Sequence, residues 1–207
     1  MKTPRSVRGF SLIEMLVVLA LAAILMFFSV PALLTTIRQS RLRGIAQETA
    51  VLMRQARLDA IKTSSQGVVR IVPPSPADPI GRIEAFSDRN RDGKLDAGEP
   101  VLGRVEVPSR IFFKDAAGNT DKASVEGFSP NAEDSSMPNT AFFQSDGSLS
   151  DPNNRGRGAY RFADDNDNYL EVRVEPVTTA RIEVRKWNEA RNDYFANGVN
   201  GEAWSWN

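Results

Sequence analysis

The chain has 207 residues, and its 26 basic side chains balance its 26 acidic ones, so the formal net charge is zero. This balance does not fit a strongly basic nucleic-acid-binding protein, and the length fits one domain plus an appended element. The absence of cysteine excludes disulfides and thiolate metal sites. The absence of histidine excludes serine–histidine and cysteine–histidine catalysis.

The first 34 residues separate into a short basic segment and a long apolar one. Residues 1–9 contain basic side chains and no acidic one, and residues 10–34 hold the densest apolar sequence of the chain. The uncharged part from Met15 to Leu34 has the length that crosses a bilayer, and the basic flank predicts a cytoplasmic amino terminus with the remainder exported. The alternatives are a cleaved secretory signal peptide, or a plain anchor with Glu14 at the membrane interface.

Glu14 is the acidic residue just inside the apolar segment. A carboxylate near a bilayer core costs about 2.5–3.5 kcal/mol, so a partner is expected for it. The run Gly-Phe-Ser-Leu-Ile-Glu at 9–14 resembles the processing site of type IV pilins and pseudopilins. This resemblance implies that a prepilin peptidase cuts after Gly9 and methylates the new amino-terminal Phe10. It also implies that Glu14 pairs with the amino terminus of a neighbouring subunit and that Pro31 disrupts the helix.

The apolar pattern continues beyond the first segment as an amphipathic helix over 35–66. Its apolar residues recur near helical spacing, between arginines and glutamines: Ile45, Leu52, Ala56 and Ile61. The run Ser-Ser-Gln-Gly at 64–67 predicts the end of the helix. We therefore expect one long helix from about Ser11 to Ser64, with its second half on a β-sheet.

From residue 67 the pattern changes to short alternating runs separated by turn residues, which predicts a β domain over 67–187. The predicted strands are Val68–Val72, Arg82–Phe86, Val101–Val107, Ile111–Phe113, Ala141–Gln144, Ala159–Ala163, Tyr169–Val174 and Ala180–Trp187. The stretch 114–139 is predicted to be loop-like. The expected fold class is α+β, a pilin-like fold in which a transmembrane and then amphipathic helix packs on an antiparallel sheet.

The order of these elements resembles the GspH/FimT group of minor pilin-like proteins. Phe143 to Ser148 is similar to that group's late phenylalanine, short turn and aspartate-glycine, and Tyr169–Val174 with Ala180–Val184 resembles its closing strand pair. The resemblance implies a non-enzymatic subunit that helps start or cap a type IV pilus or a type II secretion pseudopilus. Its implied partners are other pilin or pseudopilin subunits, the prepilin peptidase and an inner-membrane assembly platform.

The tail over 188–207 runs past the point where that fold would end. It contains Trp204 and Trp206 on either side of a serine. Two interpretations remain open for these tryptophans, which are a packed β-tail and a docking strip for another subunit.

Residues 88–99 follow the spacing of the twelve-residue EF-hand calcium loop, although strands rather than helices are predicted on both sides. Oxygen ligands fall at positions one, three, five, seven, nine and twelve, the seventh being a backbone carbonyl: Asp88, Asn90, Asp92, Lys94, Asp96 and Glu99. The spacing predicts a structural calcium site, and the alternative is an acidic β-turn without metal. The second acidic run, Asp164–Asn168, lacks ligand spacing and is predicted to be a solvated hairpin turn.

Basic residues late in the chain leave DNA binding open as an alternative function. They are Arg155, Arg157, Arg161, Arg181, Arg185 and Lys186. Some proteins of the GspH/FimT group bind DNA through late basic residues, but glutamates share this region here and break any continuous positive stripe. A further alternative is a membrane-anchored periplasmic hydrolase that uses carboxylates, although the best acidic cluster has metal-loop spacing rather than an acid–base pair.

Overall fold

The structure is a computed structural model that describes residues 10–73, 81–114, 125–126, 128, 140–151, 156–197 and 204. The chain divides into two compact units, Met1–Arg38 and Gln39–Asn207, and each is described by itself. A single helix, α1 (Leu12–Thr63), contributes its first part to one unit and its remainder to the other. These bounds confirm the predicted long helix. It ends where Ser64 adopts a left-handed backbone conformation with φ 54°.

Residues 39–63 of α1 bury one stripe of side chains within the second unit. The buried positions recur three or four residues apart: Leu42, Ile45, Ala46, Thr49, Ala50, Leu52, Met53, Ala56 and Ala60. Three of the four apolar positions predicted from the sequence are therefore in the core. The prediction for Ile61 is wrong, because this residue lies about 100° around the helix from Ala60 and is 42% exposed.

The described residues of the second unit contain ten strands in two antiparallel sheets. In chain order they are β1 (Gln66–Val72), β2 (Gly81–Asp88), β3 (Val101–Val107), β4 (Ile111–Phe112), β5 (Val125–Glu126), β6 (Thr140–Phe143), β7 (Gly158–Asp164), β8 (Tyr169–Val174), β9 (Ile182–Asn188) and β10 (Asp193–Ala196). The first sheet has the order β3-β2-β1-β6. The second sheet has the order β10-β9-β8-β7-β4, and β5 also pairs with β7.

All of the strands predicted from the sequence are present, and β3 and β8 have the predicted bounds. Two further strands lie where none was predicted. β5 is a two-residue strand inside the stretch predicted to be a loop, and β10 lies inside the predicted tail. Both are short, and their strand conformation depends on pairing with β7 and β9 rather than on a local alternating pattern.

The core lies between residues 39–63 of α1 and one face of each sheet. Helix and first sheet approach closely at Gly67, where an added Cβ would lie 2.2 Å from the backbone oxygen of Ala56. The two sheets are joined by Tyr160, whose hydroxyl donates a hydrogen bond to the Val69 carbonyl oxygen at 2.7 Å. The result is the α+β, pilin-like arrangement of a long helix packed on antiparallel sheets.

Candidate functional site

The residues predicted for processing and assembly lie at the start of α1. Gly9 and the rest of the leader, 1–9, lie outside the described residues. Phe10 is 79% exposed. The Glu14 backbone amide donates to Ser11 Oγ at 3.2 Å, and the Ser11 amide donates to Glu14 Oε2 at 2.8 Å. These two hydrogen bonds form a capping box, which places an acidic group at the positive end of the helix dipole.

The capping role of Glu14 adds to the intersubunit role predicted for it. The Ser-x-x-Glu spacing at 11–14 is typical of a capping box, so the sequence alone predicts this cap. Because the box holds the carboxylate within the first helical turn, the negative charge stays close to the amino end of α1.

The first unit presents a long apolar surface along α1. Many large apolar side chains there are more than half exposed, among them Leu12, Ile13, Leu16, Leu19, Leu25 and Phe27. Apolar exposure of this extent is typical of a segment that another molecule covers.

The membrane-crossing segment over 10–34 stays a prediction. In the part of the chain that the structure describes, no helix is both sufficiently long and sufficiently apolar to span a membrane.

Pro31 was predicted to disrupt the helix, yet the backbone of α1 is helical on both sides of it and at Pro31 itself. Two residues earlier, Ser29 Oγ donates a hydrogen bond to the Leu25 carbonyl oxygen at 2.8 Å. A proline in a helix removes one amide donor but does not by itself end the helix when neighbouring hydrogen bonds hold. Local melting at Pro31 is therefore not seen in the described helix.

The predicted calcium loop, residues 88–99, connects β2 to β3 and wraps around Asp88. This side chain is fully buried, and its two oxygens accept hydrogen bonds from the backbone amides of Arg91 at 2.6 Å and Gly93 at 2.7 Å. Burial raises the pKa of the Asp88 carboxyl, although the amide hydrogen bonds act in the opposite direction. Arg91 and Gly93 adopt left-handed conformations, φ 62° and 77°, that let the loop close around it.

The other predicted calcium ligands form hydrogen bonds within the same loop. Asn90 donates from its side-chain amide to Asp96 at 2.8 Å, and Asp92 accepts from the Lys94 backbone amide at 2.8 Å. Glu99 accepts from two backbone amides at 2.7 and 3.1 Å. Within the residues described, no group of three or more acidic, histidine or cysteine side chains is placed to hold a metal ion.

The acidic run Asp164–Asn168 forms the turn between β7 and β8, as predicted, but it is not simply solvated. Asp164 is only 4% exposed, and its Oδ1 accepts hydrogen bonds from the backbone amides of Asn166 at 2.9 Å and Asn168 at 3.0 Å. The charged side chain is buried because it satisfies the amides of its own turn.

Ion pairs engage three of the basic residues considered for DNA binding. Arg161 pairs with Glu171 at 2.8 Å, and both Arg181 and Arg185 pair with Glu183, at 2.5 and 3.0 Å. An arginine that shares its charge with a neighbouring carboxylate contributes less to attracting phosphate.

The structure describes two of the other three basic residues. Arg155 lies outside the described residues, and Arg157 precedes β7. Lys186 follows Arg185 in β9, so its side chain points to the opposite face of the sheet. Burial lowers the pKa of Lys186, and the nearby positive charge of Arg43 adds to the effect. Lys186 therefore does not share a sheet face with Arg185.

Two buried glutamates that the sequence pattern did not single out organise the faces of the sheets that point away from the helix. Glu171 in β8 is fully buried and Glu84 in β2 is 2% exposed. Arginines surround both: Arg161 and Arg173 contact Glu171, and Arg70, Arg82 and Arg104 contact Glu84. A buried carboxylate requires such partners, and the Arg-x-Glu and Glu-x-Arg spacings at 82–84 and 171–173 are the available sequence signal.

The end of the chain supports the packed interpretation for Trp204. Its indole Nε1 donates to the Phe195 carbonyl oxygen at 3.2 Å, its ring lies 6.0 Å from the guanidinium of Arg43, and it packs against the core. Trp206 lies outside the described residues.

Comparison with known proteins finds a match to the first part of the chain. Residues 4–30 match a family model described as the prokaryotic N-terminal methylation motif. This segment includes the run at 9–14 and the first part of α1. No curated protein and no solved structure matches the chain. The motif match supports a type IV pilin-like protein that works in a pilus or pseudopilus.

Proposed function

We propose that this protein is a minor pilin or pseudopilin of the GspH/FimT type, a structural subunit that helps start or cap a type IV pilus or a type II secretion pseudopilus. The observation that carries the proposal is the exposed apolar surface of α1, which begins at the capped carboxylate of Glu14. In the assembled fibre, the same helix of neighbouring subunits covers this surface. Glu14 pairs there with the amino terminus of another chain, because two opposite charges that leave water together neutralise one another.

Before assembly, the prepilin peptidase removes residues 1–9 and methylates Phe10. The amino-terminal helix attaches the subunit to the bacterial inner membrane, and the unit from Gln39 onward is exported to the periplasm. The methylation motif at residues 4–30 supports the proposed processing, and the apolar exposure of α1 supports the proposed membrane attachment. The other subunits and the assembly platform are the expected partners.

A structural role has more support than the two alternatives. The ion pairs of Arg161, Arg181 and Arg185 weigh against DNA binding. The carboxylates of Asp88 and Asp164 already bond backbone amides of their own loops, which is a structural use of an acidic side chain.

The assembly role of Glu14 is tested by separating its charge from its capping hydrogen bond. Glu14→Gln removes the charge but keeps a side chain that can complete the capping box. We expect this variant to enter fibres at least about tenfold less than the wild type, because a neighbour's amine loses its buried partner. Incorporation is measured by quantifying the subunit in sheared or purified fibres, relative to its amount in the membrane.

Ser11→Ala is the matched control, because it removes half of the capping box and leaves the charge of Glu14 in place. We expect this variant to assemble nearly normally. Normal incorporation of Glu14→Gln, or equal loss in both variants, would show that Glu14 acts only as a helix cap.

We also propose that the 88–99 loop binds calcium as a stabilising ion. The support is its EF-hand spacing, together with a backbone that already wraps around Asp88. Binding requires Asp92, Asp96 and Glu99 to exchange part of their present hydrogen bonds for the cation. The cation would relieve the repulsion among four carboxylates confined within twelve residues.

A further inference from the structure

A cleft of about 450 Å³ lies between two hairpin turns at one end of the second sheet. One wall is the β7–β8 turn at 166–168, and the other is the β9–β10 turn at 188–190. The floor is formed by the strand residues between the walls: Tyr169, Lys186, Trp187 and Phe195. β8 and β9 are paired beneath the cleft, which fixes the separation of the two turns.

Hydrogen bonds inside each turn hold the walls in place. Asp164 accepts the backbone amides of Asn166 and Asn168, and it also accepts the side-chain amide of Asn168 at 2.9 Å. In the opposite wall, the Arg191 amide donates to the side chain of Asn188 at 3.3 Å and to its carbonyl oxygen at 3.2 Å. Because the walls are already fixed, ligand binding does not have to supply the free energy of ordering them.

The floor of the cleft presents aromatic surface. Trp187 and Tyr169 are partly exposed, and Trp187 packs edge-on against Tyr194 with ring centroids 5.1 Å apart. Tyr169 donates its hydroxyl hydrogen bond to Asp167 at 2.8 Å, which orients the ring at the edge of the floor. Aromatic rings of this kind offer apolar faces beside polar groups.

The charges around the cleft balance. Asp167 forms an ion pair with Lys114 at 3.0 Å, and the other charged side chains of the lining are Lys186 and Glu189, which have opposite signs. The remaining polar groups of the walls are the carboxamides of Asn166, Asn168 and Asn188. Balanced charge does not favour a strongly anionic ligand such as a nucleic acid, whereas carboxamides both donate and accept hydrogen bonds.

We propose that this cleft binds a neutral polyhydroxylated chain, that is, a glycan. Hydroxyl groups match the paired donors and acceptors of Asn166 and Asn188, and they donate to the carboxylate of Glu189 in the second wall. The C–H faces of a sugar ring are apolar and pack on the aromatic surface of Trp187, since the Lys114 ammonium already lies over the Tyr169 ring, 5.6 Å from its centroid. This activity goes beyond the proposed assembly role and does not depend on it.

The test is isothermal titration calorimetry of the detergent-solubilised full-length protein with cellotetraose, maltotetraose and tetragalacturonate. We expect at least one of the two neutral oligosaccharides to bind, and tetragalacturonate, which carries a carboxylate on each ring, to bind more weakly. Asn166→Ala and Glu189→Ala, one in each wall, are each expected to weaken binding about fivefold, the effect of one lost hydrogen bond. Trp187→Leu is expected to remove measurable binding.

The controls separate loss of the cleft from loss of the fold. Asn166 and Glu189 are exposed turn residues, so their variants should keep the wild-type melting temperature, and Glu106→Ala on β3 provides an exposed glutamate away from the cleft. Cellotetraose is a flat, cellulose-type chain and maltotetraose is a helical, starch-type chain. Preferential binding of one of them therefore shows which shape of glycan the cleft binds. The proposal is overturned if neither neutral oligosaccharide binds, if only tetragalacturonate binds, or if the wall variants bind as well as Glu106→Ala.

Discussion

Asp88 shows how a single buried carboxyl can make a surface loop sensitive to its ionic surroundings. Burial raises its pKa above the ordinary value of 3.8, so the folded chain holds this proton more tightly than the unfolded chain does. The contribution of Asp88 to the free energy of unfolding therefore falls as the pH rises through the interval between the two pKa values. At neutral pH the ionised group costs stability, which a bound cation would restore.

We expect calcium at about 1 mM to raise the melting temperature at pH 7 by a few degrees relative to a chelator. The increase should shrink as the pH falls below the raised pKa of Asp88, because a protonated carboxyl is a poor calcium ligand. Differential scanning calorimetry at pH 7 and at about pH 4 measures both effects.

Asp88→Ala and Glu99→Gln should abolish the response to calcium, whereas Asp146→Ala, which removes an exposed acidic residue of another turn, should keep it. Glu99→Gln is included because Asp88→Ala also removes two hydrogen bonds of the loop. Equal melting temperatures of the wild type with calcium and with chelator would contradict the calcium proposal.

At the scale of elements, the contact between α1 and β1 depends on a glycine. An added Cβ at Gly67 would lie 2.2 Å from the backbone oxygen of Ala56, so helix and strand would have to separate. Gly44, which lies within α1, is the comparison position, because a Cβ there would have no atom within 4 Å apart from its own neighbouring residues in the helix.

We expect Gly67→Ala to lower the free energy of unfolding by about 2 kcal/mol or more, since the clashing atom belongs to backbone that cannot rotate away. Gly44→Ala should instead raise it by roughly 0.5–1 kcal/mol, because alanine favours the interior of a helix. Urea unfolding of both variants measures the difference. Equal stability of Gly67→Ala and the wild type would mean that helix and sheet pack less closely than described.

At the scale of the whole molecule, the two units differ in how they satisfy their apolar side chains. The unit Gln39–Asn207 contains the buried core, whereas in the unit Met1–Arg38 most of the apolar side chains that the structure describes are exposed. The second unit therefore has an interior of its own, while the first exposes apolar surface that another molecule can cover.

We expect the mature chain extracted from membranes to lack residues 1–9 and to carry one added methyl group on Phe10. Intact-mass spectrometry of the extracted protein measures both changes. A bulky substitution at the cleavage site, Gly9→Leu, should leave the leader in place and serves as the control. A full-length mass for the wild type, or a cut near Ala32, would contradict prepilin-type processing.

Features that depend on local spacing can be read directly from the sequence. The motif at 9–14 indicated the pilin-like start. Helical periodicity together with the Ser-Ser-Gln-Gly run at 64–67 placed the ends of α1 within one residue. Alternation with a period of two located β3 and β8 with the observed bounds. These patterns are local because the side-chain direction repeats with a fixed period along one helix or strand.

Features that depend on residues far apart in the chain are visible only in the folded protein. β10 became a strand because β9 pairs with it, and Glu171 became buried because arginines of β7 and β8 surround it. The glycan cleft exists because the pairing of β8 with β9 brings two separate turns together. The energy of such contacts comes from pairing and packing across the fold, and neither the partner strand nor its register is encoded in the spacing of one segment.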